Sequence, residues 1–178
     1  MAKLDIVSIP DRILRSKSAP VERIDADFQR FLDDLLETMY AAPGVGLAAV
    51  QVGVPRRVFA ADVANKESEE QTKTPLFFIN PEILSASEER STYEEGCLSI
   101  PDYYADVERP AKVRVRYLDR NGQSEEMEAE GLLATVLQHE YDHLNGKLFI
   151  DHLSKLKRDM VIKKFAKASR QGTKPKAL

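Results

Sequence analysis

Gln138-His139-Glu140-Tyr141-Asp142-His143 sets two imidazoles and a carboxylate within a turn and a half of one short segment. On a helix, His139 and His143 stand four apart on one face, with Cβ atoms roughly 5–6 Å apart. That spacing lets both rings grip one metal ion. Glu140 sits beside the same face, so it can reach a water at the metal without taking a coordination position. This is the H-E-x-x-H arrangement of metal-assisted hydrolysis.

Two imidazoles alone hold a metal poorly, and a catalytic site of the zinc type uses three protein ligands with one position open. The remaining histidine, His152, lies past Asn145-Gly146, which reads as a helix stop. The only cysteine, Cys97, is the better third ligand. It stands in Glu94-Glu95-Gly96-Cys97-Leu98-Ser99, a polar setting unusual for a buried thiol. A thiolate is a soft donor suited to borderline metals, and it would approach the helix from a mid-chain loop or strand. An Asp or Glu could serve instead, as in zincin proteases, and spacing leaves that choice open. Glu95 has a structural alternative, an ion pair with Arg109.

A third stretch, Gly44-Val45-Gly46-Leu47-Ala48-Ala49-Val50-Gln51, has the small residues of a loop entering a buried strand. No Gly-Lys-Ser/Thr follows it, which argues against a phosphate loop. Gln51 is the odd residue, because an amide in an apolar run needs a partner when buried. Beside a metal it could donate to a developing oxyanion.

The elements that must position these residues follow from periodicity. Residues 25–40 read as an amphipathic helix, with Phe28, Phe31, Leu32, Leu35, Leu36 and Met39 at steps of three and four. Strands are predicted over 57–63 and over 76–84, the second broken at Pro81, with a polar loop at 65–74 between them. Lys112 to Asp119 alternates in and out, Asp119-Arg120-Asn121-Gly122 is a hairpin turn, and 123–130 returns. The helix bearing the metal motif then runs from Gly131 to Leu144. A last helix follows Ser154, with Leu156, Met160, Ile162 or Lys163, and Phe165 on its apolar side. Strands joined by hairpins between helices predict an α+β domain. Its mixed, mainly antiparallel sheet packs around a central metal-binding helix, and a C-terminal helix completes it.

At 178 residues the chain is long enough for one domain with a real core, read here as 1–178 with a basic C-terminal helix and tail from about 154. No apolar run approaches the roughly 18–20 residues that span a bilayer, and the N-terminus lacks a secretory h-region. A single cysteine makes no internal disulfide. The expected home is therefore the cytoplasm, with no membrane partner. The net charge of −3 is uneven: nine Lys or Arg and one acid lie from Ser154 onward, leaving an acidic body. A basic tail suggests an anionic partner, against the plainer reading of a solvated helix with a frayed end.

Taken together, Gly44–Gln51, Glu95-Gly96-Cys97-Leu98-Ser99 and Gln138–His143 resemble the three signature motifs of the peptide deformylases, in order and at similar separations. Ile100-Pro101 and Leu144-Asn145-Gly146-Lys147-Leu148-Phe149 extend the likeness across nearly the whole chain. The resemblance implies removal of the formyl group from N-formylmethionyl nascent peptides, with release of formate. It implies that Cys97, His139 and His143 bind the metal and that Glu140 is general base and then acid. Gln51 and the backbone N–H of Leu98 would hold the oxyanion. The backbone of Val45 and Gly46 would align the peptide, while Thr135 and Val136, on the His139 face, would join Val45 in walling a methionine pocket. Fe²⁺ is the metal implied, with Zn²⁺, Ni²⁺ or Co²⁺ as substitutes; geometry alone points to zinc. The basic C-terminal helix would meet ribosomal RNA.

One position departs from the pattern. Tyr104 stands where many such proteins carry an arginine that touches the substrate backbone. The competing readings are a zincin-type endopeptidase, which needs no cysteine ligand, and a non-catalytic metal-stabilised module that docks on ribosomes.

Overall fold

The computed structural model describes residues 2–64 and 73–171. The loop expected at 65–74 falls almost wholly outside them, as does the tail beyond residue 171. Helix α1 (Ala26–Ala41) leads into β1 (Gly46–Ala48), a 3-10 turn (Ala49–Val52) and β2 (Val58–Ala61). Then come β3 (Leu76–Ala86), β4 (Arg90–Cys97), β5 (Ile100–Pro110), β6 (Lys112–Leu118) and β7 (Ser124–Glu130). Helix α2 (Gly131–Leu144), a further 3-10 turn (Phe149–His152) and helix α3 (Lys155–Arg170) follow. Strands β1-β2-β3-β6-β7 form one sheet and β4-β5 a separate hairpin, with every pair antiparallel. The architecture is the α+β arrangement expected.

Period-2 alternation explains how one sheet serves two cores. On β2, Val58 and Ala60 join Leu32, Leu35 and Met39 of α1 on one face. Phe59 and Ala61 turn to the other face and pack with Val136 and Leu137 of α2. There Phe59, Phe78 and Tyr117 stack at centroid distances of 4.9 and 4.4 Å. Helix α1 starts where Asp25 accepts the N–H of Phe28 at 2.9 Å, a side-chain cap. Helix α2 is buried from Ala134 through Glu140, so it runs through the interior rather than along the surface.

Three expectations are corrected. The break at Pro81 is a bulge within a longer strand: the β3–β6 register shifts between Ile79 and Glu82, and Asn80 takes a positive φ of 49° while bonding the backbone of Val21 on both sides. The stretch carrying Cys97, expected as a loop or strand, is the end of a long hairpin that was absent from the predicted elements. On α3 the buried stripe is Val161, Phe165 and Ala168, whereas Leu156 and Met160 are 71% and 57% exposed. The partner surface decides this rotation, because Val161 and Phe165 close over Val107, Leu148, Phe149 and Ile150. No helix among the described residues is long and apolar enough to cross a membrane.

Candidate metal centre

Two elements deliver the candidate ligands. Helix α2 carries His139 and His143 one turn apart, their ring centroids 5.1 Å apart. The β4–β5 hairpin turns at Leu98-Ser99, and the last residue of β4, Cys97, points its sulfur back at the helix. Cys97 Sγ lies 3.4 Å from His143 Nε2, and one donor atom from each of Cys97, His139 and His143 falls within 4.8 Å of the others. His152 is not part of this group; its Nε2 donates to Asp142 Oδ2 at 2.9 Å.

The surroundings set the donor state of each ring. His139 Nδ1 is 2.9 Å from Glu95 Oε1, so its N–H is spent on that carboxylate and Nε2 is left to face the site. Arg109 binds the same carboxylate twice, at 2.7 and 3.0 Å, as the sequence suggested, and reaches Asp142 Oδ2 at 2.9 Å. Burial alone would raise the Glu95 carboxyl. The hydrogen bonds from His139 and Arg109 outweigh it and hold the group below its ordinary range. Glu95 and Arg109 side chains are both 4% exposed, and removing either partner of such a pair costs about 3–5 kcal/mol through the charge left behind.

The donor set fits a divalent cation. Burial, then the neighbouring His139, pushes His143 well below its ordinary value and keeps it neutral, as a ligand must be. Burial would keep His139 neutral too, but hydrogen bonds to Cys97 and Glu95 overcome it and draw a positive charge to this spot. A proton and a metal ion compete for the same lone pair, so a bound metal would displace that proton.

Glu140 follows His139 into the interior. Its Oε1 is 4.0 Å from His139 Nε2, and its Oε2 is buried with no partner among the described residues. Burial pushes its carboxyl up to about 7, with His139 opposing and Glu95 adding to the rise. Gly46 makes room for it: a Cβ there would fall 2.8 Å from Glu140 Oε1 and 3.0 Å from Val136 Cγ1.

Gln51 is held in one orientation. Its Oε1 accepts the N–H of Ala48 at 2.9 Å, so its amide nitrogen faces Ser99 Oγ at 3.1 Å and Cys97 Sγ at 3.5 Å. Ser99 was not singled out in the sequence, although it lies two residues after Cys97. The N-terminal segment ties the two turns together through Val7 N–H to Gln51 O (2.7 Å) and Ile9 N–H to Ser99 O (3.0 Å).

These groups share a cavity of about 580 Å³. Val45, Gly46, Gln51, Cys97, Leu98, Thr135, Val136, His139 and Glu140 all line it, while His143 is fully buried behind. Tyr104 stands 64% exposed on the wall, its ring so close to Gly96 that a Cβ there would lie 2.5 Å from a ring carbon. The relay residues Arg109 and Asp142 were missed as parts of the site. The signal for Asp142 was its place inside the histidine motif.

A family model described as polypeptide deformylase matches residues 3–159. The chain is 64% identical over 165 residues to a peptide deformylase of Rhizobium meliloti (strain 1021), covering 93% of each. It is 58% identical over 178 residues to one of Brucella suis biovar 1 (strain 1330), covering the whole of both. Among solved structures it resembles peptide deformylase from Ehrlichia chaffeensis in complex with actinonin, with a TM-score of 0.88 and 45% identity over 96% of this chain and 99% of that one. The peptide deformylase from Legionella pneumophila superposes with a TM-score of 0.85 and 46% identity, over 98% and 100%.

Proposed function

The chain belongs to the polypeptide deformylase family, and from that premise we propose which residues do the family's work here. It is a metal-dependent hydrolase that removes the N-formyl group from nascent polypeptides and releases formate. The observation that carries the residue assignment is the meeting of one sulfur and two imidazoles within 4.8 Å of one another, beside a buried carboxyl, at a cavity that Cys97, His139 and Glu140 line.

Cys97, His139 and His143 would hold the divalent ion. When bound, it supplies Lewis acidity toward the formyl carbonyl and toward water. Glu140 takes the proton of the attacking water and returns it to the leaving nitrogen. The Gln51 amide and the backbone N–H of Leu98 donate to the oxygen as it becomes negative. The backbone of Val45 and Gly46 aligns the peptide, and Val45, Thr135 and Val136 wall the methionine pocket. Formyl is the smallest acyl group, so a tight site admits it and excludes acetyl. The ion proposed is Fe²⁺, by family likeness, with Zn²⁺, Ni²⁺ or Co²⁺ as substitutes that the thiolate and imidazole donors also suit. A substrate that is a nascent formylated chain supports a cytoplasmic home for the enzyme.

Protein isolated without oxygen should release formate from formyl-Met-Ala-Ser and carry iron by elemental analysis. Intact formyl-peptide after incubation with metal-loaded protein would refute the reaction. In the same assay, Gln51→Leu should slow turnover about 10²–10³-fold with the metal retained. Unchanged turnover would remove Gln51 from the oxyanion site.

A second contact follows from α3. Lys155, Lys157, Lys163, Lys167 and Arg170 are exposed along it, and we propose that they meet ribosomal RNA phosphates. Because Val161 and Phe165 belong to the core, charge reversal is a cleaner probe than truncation. Changing Lys155, Lys157, Lys163 and Lys167 to Glu should abolish sedimentation with ribosomes at low salt, and the wild-type contact should weaken steeply as salt rises. Equal ribosome affinity in the two proteins would end this reading.

A further inference from the structure

The chain of hydrogen bonds that begins at His139 does not stop at Arg109. It runs from His139 Nδ1 to Glu95, from Glu95 to Arg109, and from Arg109 to Asp142 Oδ2. There His152 Nε2 donates to the same Asp142 oxygen at 2.9 Å. Glu95, Arg109 and His139 are buried, whereas the His152 side chain is 36% exposed. It lines a second cavity of about 580 Å³, with Arg15, Lys147 and Arg158, that shares no residue with the cavity holding Glu140.

The 3-10 turn that carries His152 also touches His139 by a shorter route. Phe149, at the start of that turn, stacks on the His139 ring at 5.9 Å and 23°. One four-residue turn therefore braces a single imidazole twice, by ring contact and through a relay of ions.

We propose that His152 is a positioning residue of the metal centre, acting through Asp142, Arg109 and Glu95 on the orientation and donor strength of His139. Asp142 Oδ2 receives two donors, one from inside and one from the surface. Without the outer donor, the carboxylate can swing toward solvent. Arg109 then loses the anchor on its far side, and its grip on the Glu95 oxygens loosens. The Glu95 oxygen that holds His139 Nδ1–H is the last link, and such outer partners of a ligating histidine govern how firmly it binds metal. Asp142 also directly precedes His143, so the same anchor steadies the backbone between the two imidazoles.

This rests on the assignment of Cys97, His139 and His143 as ligands, and the test separates the two. The full chain is loaded with Co²⁺, whose visible absorption reports the thiolate and imidazole field, and its release to excess EDTA is timed. His152→Phe removes the donor and keeps the ring; His152→Gln keeps a donor at a similar reach. A direct outer partner is worth about 10–100-fold in metal affinity. A group three links further out should speed release about 3–10-fold and shift the Co²⁺ spectrum. His152→Gln should stay within about twofold of wild type. In an Asp142→Ala background, where the acceptor is gone, His152→Phe should add nothing, since coupled residues are not additive. Co²⁺ held tightly by the wild type and released equally by His152→Phe overturns the proposal. So does an effect of the same size with the Asp142 acceptor already removed. A wild-type chain that binds no Co²⁺ overturns the ligand assignment and this proposal with it.

Discussion

Glu140→Gln should lower formate release by about 10²–10⁴-fold while leaving metal content and fold intact. The amide keeps the shape of the carboxylate but can neither take the water proton nor return it to the leaving nitrogen, so both halves of the reaction fail together. An acid limb of kcat/KM set by this group should vanish in the variant. The test is turnover on a formyl-peptide, with metal measured in the same samples. Wild-type turnover would remove Glu140 from the reaction, whatever the motif suggests.

The same substitution carries a stability signature of the buried carboxyl. Burial raises the Glu140 carboxyl from its ordinary value to about 7 in the metal-free protein. An acid whose folded-state pKa is raised favours the fold below its unfolded value. That contribution is lost as pH climbs from about 4.5 through about 7, where an uncompensated buried charge must form. Metal-free Glu140→Gln should thus gain on the wild type by a few kcal/mol between pH 5 and pH 8 in urea denaturation. Parallel pH profiles for the two proteins would show that this carboxyl is not held neutral by its surroundings.

Cys97→Ser should empty the metal centre. A serine hydroxyl stays protonated where a thiol beside a cation ionises, so the site loses its only anionic ligand and its soft donor together. The loss should exceed the roughly 10–100-fold that an outer partner is worth, and turnover should fall with occupancy. Dialysis against a weak chelator, followed by metal analysis and a formate assay at saturating metal, checks both. Full metal and full turnover in the variant would point to a carboxylate as third ligand, as in an endopeptidase of the zincin type. His152 does not compete for that role, because its Nε2 is committed to Asp142.

The hairpin that delivers Cys97 was the part of the fold least visible beforehand. Its inward face on β5 reads Tyr103, Ala105, Val107, Arg109, and β4 turns Glu95 the same way. A strand is recognised by apolar residues at every second position. Here two of those positions hold a buried ion pair that also steadies His139, so the needs of the site masked the strand. Helix α3 was found where expected, but its buried stripe was misread for a different reason. Its polar face is broken by Leu156 and Met160, and sequence periodicity ranks apolar residues without knowing which surface they will meet.

What the chain determined by itself was whatever depends on neighbours a few residues away. Helix α2 from Gly131 to Leu144, the pairing of its two histidines, the turn at Asp119–Gly122 and the family likeness all rest on local spacing, which the backbone converts directly into a shared face. Tertiary structure decided the rest. It brought Cys97 rather than His152 to the two imidazoles, turned the Gln51 amide toward the sulfur, buried Glu140 and strung the hydrogen bonds from Glu95 to His152. Those contacts join residues far apart along the chain, and only packing can specify them. The energy that matters there is set by lost water and paired charge, and neither exists until the core has closed.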